Sequence, residues 1–330
     1  MKRIKISFLV IAVNIFIFLS VSGQAAQDKL VVVTCLQSTH SFASILTKGT
    51  SIEVVDLSPT GYSMERLNHY FKKNEKKLEG RIATADAVIT IRSVWKRDPL
   101  YIYARKWNVR VIEIDASMPF DPALTGVSVL EVPDSRPLLP GIQTSESPRK
   151  GHQTVSPYIW LSLSNASKML SIIAGDLKRL SPADATTIDK NLLGFKKELF
   201  RLRLKHEEMF AELESFEAFG LTDVFPYLTN DLNIHVADYF LKNDFYWTEE
   251  DISNLKIRLQ QDNIKVVIHK WEPKPEIAQA IKDAGARLVV LDSMDSSKDS
   301  GLSREGEPDS GGYMNIMRKN LSAIAGAFPK

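Results

Sequence analysis

Between Ser181 and Leu213 the apolar residues recur at alternating steps of four and three: Ile188, Leu192, Phe195, Leu199, Leu202, then His206, Met209 and Leu213. That is the period of one helix face. A second row, Leu193, Phe200, Leu204 and Phe210, predicts that the helix touches protein on more than one side. Ser181 suits the N-cap, Pro182 the first helical position, and Asp184 the positive end of the helix dipole. At about 1.5 Å per residue the helix runs on the order of 50 Å, longer than a small domain is wide. It therefore predicts two lobes bridged by one helix. A coiled-coil segment is the alternative, and it is disfavoured because the heptads stop after a few repeats and strand-like segments lie on both sides.

Those flanking segments alternate strand and helix. Before the long helix, strands are expected at Leu30–Cys35, Ile52–Leu57, Ala87–Ile91 and Val109–Ile114. Helices are expected at Ser41–Thr47, Ser63–Gly80, Val94–Trp107 and Asn165–Leu180. After it, strands are expected at Phe216–Leu221, Ile234–Tyr239, Lys265–Ile268 and Arg287–Leu291, with helices at Thr248–Gln261, Pro275–Ala284 and Gly312–Phe328. This is the pattern of parallel sheets covered on both faces. The fold class is α/β: two lobes, each a mostly parallel sheet flanked by helices, joined by one long backbone helix. The expected divisions are 1–26, an N-terminal lobe at 27–180, the connecting helix at 181–215 and a C-terminal lobe at 216–330. Residues 116–156 are proline-rich and predict a surface excursion that reaches the lobe junction.

Met1 to Ala26 has the order of a secretory signal: Lys2, Arg3 and Lys5, an apolar run, then small residues at Gly23-Gln24-Ala25. An uncleaved anchor is the alternative. No cysteine stands at the exit to carry a lipid. The formal charge is +2, and without the three basic residues of this segment the chain is near neutral, which gives no reason to expect nucleic acid as partner. Cys35 is the one cysteine, so neither an intrachain disulfide nor a cysteine-cluster metal site is available. There is no phosphate loop, nucleophile elbow or His-Glu-x-x-His, and the chain is expected not to be an enzyme.

Ligands of open parallel sheets bind beyond the carboxyl ends of the strands. The residues there are Gln37–His40, Ser58–Tyr62, Thr222–Asp223, His269–Glu272 and Asp292–Asp295. His40, Tyr62, Asp223, His269 and Glu272 are the cleft-lining candidates, with helix capping the alternative for His40.

Several runs resemble the substrate-binding proteins of zinc and manganese ABC transporters, a family built on one long helix. Pro157-Tyr158-Ile159-Trp160-Leu161-Ser162 with Asn165-Ala166 is similar to that family's Pro-His-x-Trp-Leu-x-Pro-x-Asn-Ala. Leu221-Thr222-Asp223-Val224-Phe225 stands where it has Phe-His-Asp-Ala-Phe, and Leu288 to Asp292 resembles its Val-Val-Leu-Asp. Ala83–Val88 and Tyr313–Leu321 extend the likeness over most of the chain. The resemblance implies an extracytoplasmic solute-binding protein, monomeric, serving an ABC permease and ATPase. Zinc, manganese or a metal complex would be its transported ligand, with no organic cofactor. It implies metal ligands at His69, Tyr158, Thr222 and Asp292, where the family has three histidines and a carboxylate. Two imidazoles are thus replaced by a phenol and a hydroxyl. Zinc prefers imidazole, thiolate and carboxylate, and a phenol ordinarily loses its proton only near pH 10. Oxygen donors suit a harder ion such as manganese, and Asp223, Asp292, Asp295 and Glu272 supply more of them. The alternative reading is an adhesion or interaction protein of the same fold that has lost its metal. Each site residue also has a bland role: His69 as a wet residue on a lysine-rich helix, Trp160 as junction packing, Asp292 as a loop cap.

Overall fold

A computed structural model describes residues 29–57, 59, 61–139, 154–213, 216–295 and 312–329. The expected signal segment and residues 296–311 lie outside them. The first sheet has strands β1 (Val31–Thr34), β2 (Glu53–Asp56), β3 (Ala87–Thr90) and β4 (Ile112–Asp115), all parallel, in the order β2-β1-β3-β4. Helices α1 (Gln37–Leu46), α2 (Leu67–Lys73), α3 (Glu75–Ile82) and α4 (Leu100–Trp107) connect them. Next come α5 (Leu163–Leu180) and α6 (Ala185–Ala211), the latter entered through a 3-10 turn at Pro182–Asp184. The second sheet repeats the first: β5 (Glu217–Gly220), β6 (His235–Tyr239), β7 (Val266–His269) and β8 (Arg287–Val290), parallel, in the order β6-β5-β7-β8. Its helices are α7 (Pro226–Asp231), α8 (Glu249–Gln261), α9 (Pro275–Asp283) and the closing α10 (Tyr313–Ala327). Each sheet thus changes direction of winding beside its first strand, where crevices form in such sheets.

The expected elements are present; α1 begins four residues earlier than expected, at Gln37, and three further differences stand out. The helix expected over Ser63–Gly80 is split at Asn74, whose amide and side-chain nitrogen both bond Tyr70 O. The helix expected from Val94 starts only at Leu100, because Pro99 precedes it and the Asp98 carboxylate accepts from Leu100 N at 3.0 Å. The short α7 was not expected. At α8 the Thr248 cap is realised as a capping box: Thr248 N donates to Asp251 Oδ2 at 2.7 Å and Asp251 N to Thr248 Oγ1 at 3.2 Å.

On α6 the first apolar row is core: Ile188, Phe195, Leu199, Leu202 and His206 are buried, and Leu192 and Met209 are half-buried. It packs on α1, α5 and α10, and α10 packs in turn on β8. The second row is a correction. Leu193, Phe200 and Leu204 are 57%, 60% and 43% exposed, and only Phe210 of that row is covered. The helix is therefore clad on one face and wet on the other. The main core runs without a break through both sheets and α6, while a smaller cluster lies between the second sheet, α8 and α9.

Three buried hydrogen bonds tie the halves together. Tyr313 N donates to Ser41 Oγ at 3.1 Å and Tyr313 Oη to Trp160 O at 2.8 Å. Trp160 Nε1 donates to Ser293 O at 2.9 Å. The proline-rich excursion does reach the junction. Ser128 and Asn165 exchange two hydrogen bonds at 2.9 Å, and Arg136 N donates to Tyr239 O at 2.8 Å. Tyr227 Oη accepts from Leu130 N and donates to Ser156 O, each at 3.0 Å.

Two outcomes follow from this packing. Leu199→Asp or Leu202→Asp buries an unpaired carboxylate and costs several kcal/mol of a total of about 5–15. Phe200→Asp, one position along, leaves the urea midpoint nearly unchanged; equal midpoints for Leu199→Asp and Phe200→Asp would mean the wrong face is called core. Tyr313→Phe leaves the Trp160 carbonyl unpaired and costs about 1–3 kcal/mol, read in the same unfolding experiment.

Candidate functional site

The carboxyl ends of both sheets carry the residues singled out by sequence. In the first lobe His40 sits on α1, half-buried, with Nδ1 3.4 Å from Thr34 Oγ1 and Nε2 3.4 Å from Ser44 Oγ. Tyr62 packs at a tilt against Tyr70, 5.3 Å between ring centres, with the Arg66 guanidinium 5.1 Å from its ring. His69 is exposed on α2. Neighbouring Arg92 is bonded twice to Glu113, at 2.8 and 2.7 Å.

In the second lobe Thr222 and Asp223 follow β5; Thr222 is buried and Asp223 half-buried. The backbone there is tight: a Cβ on Gly220 would stand 2.4 Å from the Tyr239 ring, so only glycine fits. His269 ends β7, its side chain 1% exposed, with Nε2 3.4 Å from Asp244 Oδ1. Burial lowers its pKa against the upward pull of Asp244, which favours the neutral ring. Trp271 Nε1 donates to Asp244 Oδ2 at 2.8 Å, and Glu272 is exposed. Asp292 follows β8. Its Oδ1 accepts from Met294 N at 2.9 Å, and its backbone is clamped by Asn320 at 2.9 and 2.8 Å. Met294 takes a positive φ of 57°, so one carboxylate oxygen of Asp292 caps a left-handed turn.

The structure brings Tyr158 to the turn after β8. Tyr158 is buried, two residues before the Trp160 that bonds Ser293 O. Beside it lies a pair that sequence reasoning did not single out. Lys270 Nζ donates to Asp295 Oδ2 at 2.6 Å and stands 5.8 Å from the centre of the Tyr158 ring. Asp295 Oδ1 also accepts from Ser293 Oγ at 2.6 Å. The available signal was a lysine within His269–Glu272, a run expected to line a cation site. His40 makes its described contacts within the first lobe, and His69 stands exposed on α2. Among the described residues, no three His, Cys, Asp or Glu side chains are grouped to hold a metal ion. What the junction offers is oxygen: a phenol, hydroxyls and carboxylates. Such a donor set fits a hard divalent ion better than tetrahedral zinc.

Residues 32–327 match the family described as zinc-uptake complex component A, periplasmic (ZnuA). The chain is 24% identical over 172 residues to the high-affinity zinc uptake system protein ZnuA of Bacillus subtilis (strain 168), 52% of this chain and 52% of that protein. It spans about half the length, or less, of the curated relatives it matches. Two solved structures of FpvC from Pseudomonas aeruginosa share the fold. A mutant has a TM-score of 0.70 at 19% identity, covering 90% of this chain and 98% of that one. The solute-binding protein in complex with Mn2+ has a TM-score of 0.67 at 18% identity, covering 91% and 98%. Among the described residues no helix is long and apolar enough to cross a membrane. With the match running through both sheets and the long helix between them, the chain belongs to the ZnuA family of periplasmic zinc-uptake components.

Proposed function

We propose that the protein is the extracytoplasmic solute-binding component of an ABC importer, carrying a divalent metal ion or metal complex between its lobes. The observation that carries this reading is a family match spanning both sheets and the long helix between them. Tyr158, Thr222 and Asp292 are the ligand positions, with His69 the fourth by resemblance. Lobes at 27–180 and 216–330 close on the ion, and a permease and ATPase receive it from the monomeric carrier. The protein binds rather than catalyses. Zinc is named for the Bacillus relative and Mn2+ for FpvC; oxygen donors favour the harder ion here.

A second reading, an interaction protein descended from the same fold, is favoured by the exposed rings of Phe245, Tyr246 and Trp271 on the carboxyl-end rim of the second sheet. Calorimetric titration separates the two. Mn2+ binds the parent protein and binds Asp292→Asn more weakly, the asparagine preserving the cap on Met294 N. No heat with Mn2+ or Zn2+ would sink the carrier reading and leave the second one. Tyr158→His/Thr222→His supplies two imidazoles and raises zinc affinity by about tenfold or more; no gain would mean that these positions do not share a site. Export by a cleaved segment ending near Ala26 is checked by N-terminal sequencing of the exported protein. Finding Met1 or Lys2 there would contradict it.

A further inference from the structure

We propose that the Lys270 ammonium is a tethered cation: it neutralises the Asp295 carboxylate beside Tyr158, and a divalent cation entering the cleft binds by displacing it. The inference rests on the reading of the junction as a cation site and states what controls that site.

Lys270 follows β7, which neighbours β5 where the second sheet reverses its winding. Its nitrogen bonds Asp295 Oδ2 at 2.6 Å and faces the Tyr158 ring at 5.8 Å, within reach of a cation–π attraction. The side chain of Asp295 is 1% exposed and that of Lys270 18%. By contrast Lys178 and Asp189, a surface pair, are 33% and 56% exposed. A carboxylate as buried as Asp295 is strongly disfavoured without a counter-charge. The Ser293 hydroxyl gives it a hydrogen bond but no charge, and the lysine gives it the charge. The same requirement is met by a divalent ion, which carries twice the charge and accepts carboxylate, hydroxyl and phenol oxygens as ligands.

The lysine is suited to a reversible part. Its ammonium sits on a flexible four-carbon stem, and the residual exposure shows a path by which it reaches water. Displacement leaves Asp295 to the ion and moves the ammonium into solvent, so the buried carboxylate keeps a cationic partner throughout. An ion must bind tightly enough to replace an existing pair, which lowers affinity for any ion too weakly attracted to do so. A brace for the turn at 292–295 would have the same geometry but would not couple to metal affinity.

The test is calorimetric titration of Mn2+ into the parent, Lys270→Gln and Lys270→Gln/Asp295→Asn, with thermal melts in the presence and absence of millimolar Mn2+. Glutamine keeps a donor for Asp295 but no charge. Lys270→Gln is expected to hold Mn2+ at least about tenfold more tightly than the parent, to be raised in melting temperature by Mn2+ more than the parent is, and to lose the gain when Asp295→Asn is added. A Lys270→Gln protein that titrates like the parent overturns the proposal, as does a gain that survives in the double variant. If Lys270→Gln melts early in buffer, Mn2+ must restore the parental melt; failure to do so also overturns it. Tight Mn2+ binding by the parent with no change in Lys270→Gln removes the tether and leaves the carrier reading standing. A gain in Lys270→Gln without measurable binding by the parent keeps the tether and removes the free-ion carrier.

Discussion

The hydrogen-bond chain Ser41–Tyr313–Trp160–Ser293 is what the junction depends on. It starts on α1 behind the first sheet, passes through the closing helix and ends on the turn after β8. Each link is buried, so each donor and acceptor has lost water and needs its partner. Phe42 and Phe195 pack on the Tyr313 ring at 4.8 and 6.3 Å between centres, which holds the phenol in register with Trp160. The chain fixes Tyr158, two residues before Trp160, against the Ser293 turn. Site and scaffold therefore share the same bonds.

Much of this was legible in the sequence. The core face of α6 was readable because helix period reports which residues lie on one side. Period does not report how many sides are covered, and so Leu193, Phe200 and Leu204 misled. Eight strands were readable within a few residues, since short apolar runs bounded by turns carry a strong signal. The start of α4 was not, because it is set by a proline and a buried aspartate cap rather than by pattern. At six residues, α7 is too short to show a period. The proposed ligand positions Tyr158, Thr222 and Asp292 came from resemblance and order along the chain. The Lys270–Asp295 pair joins residues 25 apart on neighbouring strand ends. Nothing local marks such a pair, for partners across a sheet edge are chosen by the fold.

The chemistry of the junction turns on how charge is satisfied where water is scarce. Asp292 spends one oxygen on its own turn, His269 is kept neutral by burial, and Asp295 is matched by a lysine. A site of this kind differs from a ring of imidazoles awaiting an ion, in which the empty state is uncharged. Here Lys270 and Asp295 already form an ion pair, and in the proposed carrier an incoming cation competes with a side chain as well as with water.

The Tyr227 phenol has a mechanical consequence. One oxygen accepts from Leu130 and donates to Ser156, so the outgoing and returning passes of the proline-rich excursion are both pinned to a single side chain of the second lobe. Together with α6 and the Tyr313–Trp160 chain this gives the junction several separate attachments, and a body held at several points cannot pivot widely about any one of them. Large angular opening would have to break both phenol bonds in the same event. The motion left to the lobes is a short slide of packed surfaces, and traffic through the cleft falls to whichever side chains can leave it.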